Sequence, residues 1–160
     1  MYALAGRLGE LLGGEGSRLA TAESCTGGWI AQCVTSIPGS SSWFDRGFVT
    51  YSNESKQELL GVPAEVIATH GAVSAETVVA MAGGALAHSR ADCAVAVSGI
   101  AGPEGGSPDK PVGTVWLAWQ LKGTVAVTRR CRFDGDREAV RRQAVIAALE
   151  GLIDVCSGAS

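Results

Sequence analysis

A continuous apolar run, DCAVAVSGI at residues 92–100, constrains the fold of this chain more than any other segment. It lacks the alternation of apolar and polar residues that marks a strand with one face in water, so both of its faces are expected to be buried. A strand buried on both faces is typical of the centre of a sheet that carries helices on its two sides. The run therefore favours a layered α/β protein with this segment as a central strand.

Strand and helix patterns alternate around this run. SRLATA (residues 17–22) and RGFVTYS (46–52) are predicted strands, the first from its short apolar character and the second from its alternation. TVWLAWQL (114–121) and GTVAVTRRCRF (123–133) predict a hairpin that turns at Lys122-Gly123. Apolar residues at helical spacing predict the helices. These are expected at residues 4–12, where Gly13-Gly14 ends the helix, at 30–37, at 56–60 with Ser52 or Asn53 as the cap, from Ser74, and from near Asp136.

This order of elements predicts the α/β class, as a three-layer α/β/α sandwich around a mixed, mostly parallel sheet in which the late hairpin supplies one antiparallel pair. The chain has 160 residues and shows no internal repeat, linker or low-complexity tract, so residues 1–160 are expected to form a single domain. Loops at the carboxyl ends of parallel strands meet at one edge of such a sheet. The functional residues are therefore expected along that edge.

The charge balance limits the classes of partner. Lys and Arg total 13 and Asp and Glu total 16, which gives a net charge of −3 at pH 7. Nucleic-acid surfaces need clustered cations, so no nucleic-acid partner is expected, although the pair Arg141-Arg142 could hold a single phosphate. No uninterrupted apolar stretch reaches the length of a membrane-spanning helix, so no membrane association is expected. Small apolar-rich domains of this kind often form dimers, and a homodimer is compatible with the sequence.

The cysteines and histidines limit the location and the cofactors. The five cysteines are odd in number and form no CxxC pair, which argues for reduced thiols in a cytoplasm rather than a disulfide framework or a zinc site. His70 and His88 are the only histidines, so a histidine-rich metal centre is excluded. We therefore expect a cytoplasmic protein whose site contains no metal.

The segment TAESCTGGW follows the first predicted strand and places three reactive or hydrogen-bonding side chains together, Ser24, Cys25 and Thr26. A helix start needs only one capping residue, so either Ser24 or Thr26 would suffice. Gly27 and Gly28 let a ligand approach the backbone amides, which suit an oxyanion or a phosphate at the positive end of a helix. This segment alone is compatible with a helix cap and with a nucleophile or an anion site. Cys25 is interpreted as a packing residue.

A serine nucleophile needs a base that takes its proton, and the chain offers few candidates. His70 stands in a predicted turn and His88 near a predicted helix end, so a Ser-His-Asp triad has little support. Lys122 lies in the hairpin turn, and Lys110 ends an SPDK segment whose flanking prolines place it in a loop. Lys56, in YSNESK, lies one helical turn past a strand. Spacing alone does not distinguish a catalytic Lys56 from an exposed helix lysine.

The glycine-rich segment SGIAGPEGGSPDKPVGT, residues 98–114, is a second candidate site. Its glycines allow close approach of a ligand, and successive amides can form an anion-binding nest. It lacks the residues of a P-loop and the strand–GxGxxG–helix context of a dinucleotide site. Loops of this length in compact domains are often functional, but a purely flexible loop is the alternative.

Five segments together resemble the nicotinamide-nucleotide amidohydrolase family, also called the nicotinamide mononucleotide deamidase family or the C-terminal domain of the competence/damage-inducible protein CinA. They are AESCTGGWIA, SSSWFDRGFVTYSNESKQELLGV, HGAVS, SGIAGPEGGSPDKPVGTVW and GDREAVRRQA. The resemblance covers nearly the whole chain and is to the stand-alone form, since no N-terminal nucleotide-processing domain precedes it. It implies hydrolysis of nicotinamide mononucleotide to nicotinate mononucleotide and ammonia, in pyridine nucleotide recycling, with no metal and no cofactor.

The same resemblance implies a serine nucleophile with a lysine nearby, which by motif are Ser24 and Lys56. Our working mechanism adds Tyr51 as a group that relays a proton to or orients Lys56, and backbone amides of residues 24–26 as oxyanion donors. The loop from Ser98 is expected to bind the nucleotide. The expected substrate-binding residues are Thr26, Gly27, Gly28, Ser98, Gly99, Gly102, Gly105, Gly106, Arg141 and Arg142.

Two other functions remain open from the sequence. One is an amide hydrolase that acts on a nucleoside or on another pyridine amide, because substrate choice depends on the shape of the pocket. The other is a non-catalytic nucleotide-binding or interaction module related to the competence and damage proteins. The set Ser24, Tyr51 and Lys56 is intact, and this favours the enzyme.

Overall fold

The structure is a computed structural model and describes residues 1–158. Its strands are β1 Leu19–Glu23, β2 Phe44–Val49, β3 Cys93–Gly99, β4 Thr114–Leu121 and β5 Val127–Arg132. They form one sheet in the order β2-β1-β3-β4-β5. β1 pairs parallel with β2 and β3, whereas β4 pairs antiparallel with β3 and β5. Four strands therefore run in one direction and β4 alone opposes them.

The mixed, mostly parallel sheet is confirmed, but the expectation of one antiparallel pair is wrong. β4 lies between β3 and β5, so it is antiparallel to both neighbours and creates two such pairs. The hairpin itself was predicted, and its second strand begins at Val127 rather than directly after the turn at Lys122-Gly123. The consequence for the site is that β5 ends at the same edge of the sheet as β1, β2 and β3.

Helices cover both faces of the sheet and confirm the three-layer arrangement. They are α1 Tyr2–Glu15, α2 Trp29–Thr35, α3 Asn53–Leu60, α4 Ala64–His70, α5 Ala75–Ala87 and α6 Arg137–Cys156, with a short 3-10 turn at Ser40–Ser42. α1, α2 and α6 pack on one face, and α3, α4 and α5 on the other. Among the helices of residues 1–158, none is both long and apolar enough to cross a membrane.

β3 is the central strand, as its sequence predicted, and the side chains on its two faces differ in size. Val95 and Val97 point into the core shared with α1 and α6, whereas Ala94 and Ala96 point into the core beneath α5. The small alanine side chains let α5 lie close to the sheet. On the other face α6 approaches closely at Gly151, where a Cβ would lie only 2.2 Å from the Trp119 ring.

Side-chain caps explain where three of the helices begin, namely α3, α5 and α6. Ser74 caps α5 by accepting a hydrogen bond from the Thr77 amide, and Asp136 caps α6 by accepting one from the Ala139 amide, as expected. The predicted stop at Gly13-Gly14 is wrong. α1 continues through those glycines and ends at Glu15, and the next residue, Gly16, supplies the left-handed cap with a φ of 68°.

Candidate active site

The carboxyl ends of β1, β2 and β3 meet at one edge of the sheet and enclose a cavity of about 190 Å³. The chain leaves β1 for β2 on one side, and β3 pairs with β1 on the other, so a crevice opens above β1. Ligands of open α/β sheets bind in crevices of this kind. Ser24 follows β1, Tyr51 follows β2, and Ser98 and Gly99 end β3, and all four line the cavity.

Ser24 and Lys56 are brought into direct contact in this cavity. The Lys56 Nζ atom lies 3.0 Å from Ser24 Oγ and donates to the carbonyl oxygen of Thr50 at 2.7 Å. Lys56 is 1% exposed and Ser24 is 8% exposed. The Ser24 amide donates to the Val97 carbonyl at 3.0 Å, which ties the start of the turn to β3. The serine hydroxyl therefore meets a primary amine held on its other side by a backbone carbonyl.

The local sequence of α3 explains why Lys56 points inward. Ser52 accepts a hydrogen bond from the Ser55 amide, and Ser55 Oγ accepts one from the Ser52 amide, so this capping box fixes the start of the helix. Lys56 and Leu60 are four residues apart and share one helix face. Leu60 is buried in the core beneath α5, so the face that packs Leu60 also buries Lys56.

Burial lowers the pKa of Lys56, because the charged ammonium loses its contact with water. The neighbouring Cys25 acts in the opposite direction, but its effect is the smaller one. Within residues 1–158 no carboxylate forms an ion pair with Lys56. The neutral amine, which can accept a proton from Ser24, is therefore favoured relative to an exposed lysine.

The N-terminus of α2 is occupied by Glu23 and does not face a ligand. The buried Glu23 carboxylate accepts hydrogen bonds from Thr26 Oγ1 at 2.7 Å, from the Ile30 amide at 2.8 Å and from the Ala31 amide at 3.0 Å. Thr26 is fully buried, and its hydroxyl serves this cap. The structure therefore does not support the expectation of a phosphate or an oxyanion at the Thr26 hydroxyl or at the Ile30 and Ala31 amides, because these donors are already engaged.

Gly27 and Gly28 shape the turn but do not line the cavity. Their φ angles are 60° and 98°, in the left-handed region that favours glycine, and they bring the chain from Ser24 into α2. Gly27 is exposed. Their role in the structure is to form the turn rather than to provide open space for a ligand.

Cys25 packs as a neutral thiol beside the nucleophile candidate. It is 6% exposed and belongs to the apolar core on the α6 side of the sheet. Burial raises the pKa of its thiol to about 12. A thiol that stays protonated is a poor nucleophile, so the arrangement favours Ser24 over Cys25.

Tyr51 and Arg137 form a pair at the mouth of the cavity. Tyr51 is 62% exposed, and its hydroxyl accepts a hydrogen bond of 2.9 Å from Arg137 Nη2. Arg137 Nη1 donates to the carbonyl of Gly102, also at 2.9 Å. The structure thus gives the Tyr51 hydroxyl a contact with Arg137 and none with Ser24 or Lys56 among the described residues. This geometry does not support the expected proton relay.

The two arginines expected to bind the phosphate, Arg141 and Arg142, do not line the cavity. Arg141 donates to the carbonyls of Cys25 and Thr26 at 3.0 and 3.1 Å, and its guanidinium stacks 5.4 Å from the Trp29 ring centroid. Arg142 forms an exposed ion pair with Glu138. Arg141 therefore holds the Ser24 turn against α6, and Arg142 belongs to the surface.

In the glycine-rich loop, the structure brings only the first residues to the cavity. Ser98 and Gly99 line it, and Gly102 contributes its carbonyl to Arg137. Gly105 and Gly106 are exposed and lie outside the cavity lining. The loop therefore lines the cavity near its start and no longer does so at Gly105-Gly106.

The sequence did not indicate five further residues that line the cavity, namely Asn53, Ala72, Val73, Ala101 and Arg137. The position of Arg137 could have been predicted, because α6 follows β5, which is parallel to β3, and therefore begins at the same edge of the sheet. Ala72 and Val73 stand within the quoted HGAVS segment. Within residues 1–158 no group of three or more His, Cys, Asp or Glu side chains is arranged to hold a metal ion.

A serine hydroxyl in contact with a buried amine is an arrangement suited to acyl transfer, because the amine can take the proton as the oxygen attacks. The amides of Cys25 and Thr26 donate to no backbone carbonyl within the described residues, whereas the Ser24 amide is engaged. Of the three expected oxyanion donors, only the Cys25 amide both lacks such a partner and belongs to a residue that lines the cavity.

Comparisons with known proteins match nearly the whole chain. The sequence model described as the CinA C-terminal domain matches residues 1–156. The chain is 57% identical over 149 residues to the nicotinamide-nucleotide amidohydrolase PncC of Escherichia coli K12, covering 93% of this chain and 90% of that one. It is 60% identical over 152 residues to PncC of Pseudomonas putida, covering 95% and 94%.

Solved structures give the same result for the fold. The competence/damage inducible protein CihA of Agrobacterium tumefaciens superposes with a TM-score of 0.93 at 49% identity, over 95% of this chain and 93% of that one. A competence-damaged protein superfamily member from Klebsiella pneumoniae superposes with a TM-score of 0.94 at 44% identity, over 98% of both chains. The sheet order and the helical layers are thus those of experimentally determined relatives.

Proposed function

Because the chain belongs to the CinA C-terminal domain family, we infer that it is a nicotinamide-nucleotide amidohydrolase, which converts nicotinamide mononucleotide to nicotinate mononucleotide and ammonia. The relatives that bear this name are matched over 90% and 94% of their own length, so the likeness is between whole chains. The structural observation that carries the proposal is the 3.0 Å contact between Lys56 Nζ and Ser24 Oγ in a cavity at the strand ends.

In the first step that we propose, neutral Lys56 takes the proton of Ser24, and Ser24 Oγ attacks the carboxamide carbon. One N–H of the neutral amine donates to the Thr50 carbonyl, and the lone pair of the nitrogen is then available to Ser24. The carbonyl oxygen becomes an oxyanion, which the free amide of Cys25 stabilises. Each such donor is worth on the order of 3 kcal/mol of the barrier.

In the second step the tetrahedral adduct collapses. The Lys56 ammonium returns the proton to the carboxamide nitrogen, ammonia leaves, and a nicotinoyl ester of Ser24 remains. Neutral Lys56 then takes a proton from water, and the resulting hydroxide attacks the ester carbon. Ser24 Oγ leaves with the proton held by Lys56, so the enzyme returns to its starting state and nicotinate mononucleotide is released.

The size of the cavity and the position of Arg137 support a nucleotide rather than a free amide as substrate. A cavity of about 190 Å³ has room for the pyridine ring and its carboxamide, so the ribose and phosphate would extend toward the mouth. Arg137 is the only arginine that lines the cavity among the described residues. Its guanidinium is suited to bind the phosphate, since Arg forms charge-assisted hydrogen bonds with phosphate oxygens.

Ammonia release tests this function. Purified protein is incubated with nicotinamide mononucleotide or with free nicotinamide, beside Ser24→Ala and the control Ser42→Ala, which alters an exposed serine in the 3-10 turn. We expect release from the nucleotide by the wild type and by Ser42→Ala, and a loss of about 10⁴-fold or more in Ser24→Ala. A preference for free nicotinamide would overturn the substrate, and full turnover by Ser24→Ala would overturn the nucleophile.

A further inference from the structure

A second cavity, of about 380 Å³, lies at the opposite edge of the sheet and has no part in this mechanism. Cys93 opens β3 and Cys156 closes α6, and both line this cavity. The active-site cavity uses the other ends of the same two elements, through Ser98 and Arg137. The two thiols are therefore separated from the catalytic serine by the length of the central strand.

Cys93 and Cys156 line the same cavity but differ in their surroundings. Cys93 is 2% exposed, and its thiol also has the Arg18 carbonyl as an acceptor, at 3.6 Å from Sγ. Cys156 is only half-buried and is reachable from solvent. One thiol of the pair is thus open to a reagent and the other is shielded behind it.

The two thiols are also chemically unequal. The hydrogen bond from Cys93 lowers the pKa of the Cys156 thiol and outweighs the opposing effect of burial. For Cys93, the same hydrogen bond together with burial raises the pKa. A thiolate is the attacking form in exchange with disulfides, so Cys156 is the member suited to attack.

We propose that Cys93 and Cys156 form a redox-active dithiol, in which organic disulfides oxidise the accessible Cys156 first and the shielded Cys93 completes an intramolecular disulfide. This modification site lies outside the active site and does not depend on the amidohydrolase assignment. It joins the last turn of α6 to the first residue of the central strand.

The reaction balances with the disulfide as the oxidant. The Cys156 thiolate attacks one sulfur of the disulfide, so that a mixed disulfide forms and the first thiolate leaves. Cys93 then loses its proton to solvent and attacks the Cys156 sulfur, which forms the Cys93–Cys156 bond and releases the second thiolate. Two electrons pass from the protein to the small disulfide, and the released thiolates take up the two protons.

The other groups in the cavity favour an uncharged disulfide. Glu15 and Asp92 line it with two carboxylates, and Lys122 adds one ammonium. The carboxylates disfavour an anionic reagent by like-charge repulsion. Bis(2-hydroxyethyl) disulfide is neutral and small, so it is the appropriate probe.

The chain offers a matched control in Cys131. Cys131 lies on β5, is half-buried like Cys156 and is distant from the other cysteines in sequence. Burial raises the pKa of its thiol, whereas the pKa of Cys156 is lowered. If exposure alone determined the reaction, Cys131 and Cys156 would react alike.

The test follows the native protein by intact mass and peptide mapping during exposure to bis(2-hydroxyethyl) disulfide. We expect the wild type and Cys131→Ser to lose two hydrogen atoms and to give a linked Cys93–Cys156 peptide, which dithiothreitol reverses. Cys93→Ser should instead retain a stable mixed disulfide on Cys156, because the second thiol is missing. Cys156→Ser should lose most of the reaction rate.

Several results would overturn the proposal. They are a mixed disulfide that persists on Cys156 in the wild type, first reaction at Cys131, covalent dimers linked through Cys156, and no reaction at all in the folded protein. Circular dichroism of each variant shows that its fold is retained, so a lost reaction is assigned to the missing thiol. Trapping of the adduct in Cys93→Ser is a gain rather than a loss, so it does not arise from unfolding.

Discussion

The two cavities at the opposite ends of β3 differ in chemistry more than in size. The cavity at the carboxyl end is the smaller, about 190 Å³ against 380 Å³, yet it brings a serine within 3.0 Å of a buried amine. The cavity at the amino end holds two thiols between carboxylates and a lysine. The larger cavity is therefore not the one with the serine–lysine pair, and the side chains that line a cavity indicate its function better than its volume does.

The topology of the sheet explains the difference. β1, β2 and β3 are parallel, so the residues at their carboxyl ends converge at one edge from three separate segments. These residues are Ser24, Thr50 and Ser98. The capped α3 adds Lys56 to this edge. At the amino end the ends of α1 and α6 meet instead, and Cys156 comes from the last turn of α6.

The pH dependence of the reaction gives the largest expected contrast between the two cavities. Protonated Lys56 cannot take a proton from Ser24, so kcat/KM should fall about tenfold for each pH unit below the pKa of Lys56. Because burial lowers this pKa, the rise of the profile with pH should level off below the range of an exposed lysine, roughly 10.4.

The control for this profile is Lys122→Met, which removes the lysine of the opposite cavity. It should leave the profile of hydrolysis unchanged, and kcat/KM is measured for both proteins from about pH 5 to about pH 10. A profile that is flat over this range would show that no lysine acts as the base. A shift of the profile in Lys122→Met would mean that Lys122, and not Lys56, accounts for the titration.

The second prediction sharpens the role of the cavity mouth through two arginines of the same helix. Arg137→Met should raise KM for nicotinamide mononucleotide by about tenfold to a hundredfold, because a charge-assisted hydrogen bond is worth roughly 1.5–3 kcal/mol. Arg142→Met, which removes only an exposed ion pair, should leave KM unchanged.

Nicotinamide riboside, which lacks the phosphate, separates phosphate binding from other effects of Arg137. With the riboside, Arg137→Met and the wild type should have similar KM values. An equal rise in KM for the riboside and the nucleotide would mean that Arg137 holds Tyr51 and Gly102 in place and does not bind phosphate.

The third prediction concerns the buried carboxylate beneath the Ser24 turn. Glu23→Gln keeps the shape of the side chain but replaces one accepting oxygen with a donor, so one of three buried hydrogen bonds is lost. We expect the free energy of unfolding to fall by about 2 kcal/mol, measured by urea denaturation. Glu138→Gln, at the exposed ion pair, should show no measurable loss, and equal losses in both variants would contradict the cap.

The sequence was sufficient for the elements that are determined by local patterns. The central strand was predicted from a run that is apolar on both faces. Ser74 and Asp136 indicated where two helices begin. The hairpin was predicted from two strand patterns on either side of a glycine turn. The unexpected α4, Ala64–His70, has seven residues and buries only Ile67, so its pattern is too short to read. The end of α1 was misplaced because glycine inside a helix has only a moderate cost.

The site was less predictable, because it depends on contacts between distant segments. Ser24 and Lys56 are 32 residues apart, and only the pairing of β1 with β2 and the cap of α3 bring them together. The family resemblance supplied this pair, whereas spacing alone left it open. The cap that engages Thr26 depends on Glu23 and α2 being placed together, and a local motif does not show which partner its hydroxyl chooses.

Turnover by Lys56→Ala, with and without an added primary amine, determines whether Lys56 activates Ser24. The account predicts a loss of about 10²–10⁴-fold in ammonia release from nicotinamide mononucleotide, with partial recovery when ethylamine enters the vacated space and more recovery as pH raises its neutral fraction. Ser24→Ala should gain nothing from ethylamine. Turnover by Lys56→Ala within a few-fold of the wild type, without any amine, would contradict the account, because the serine would then be activated by another group.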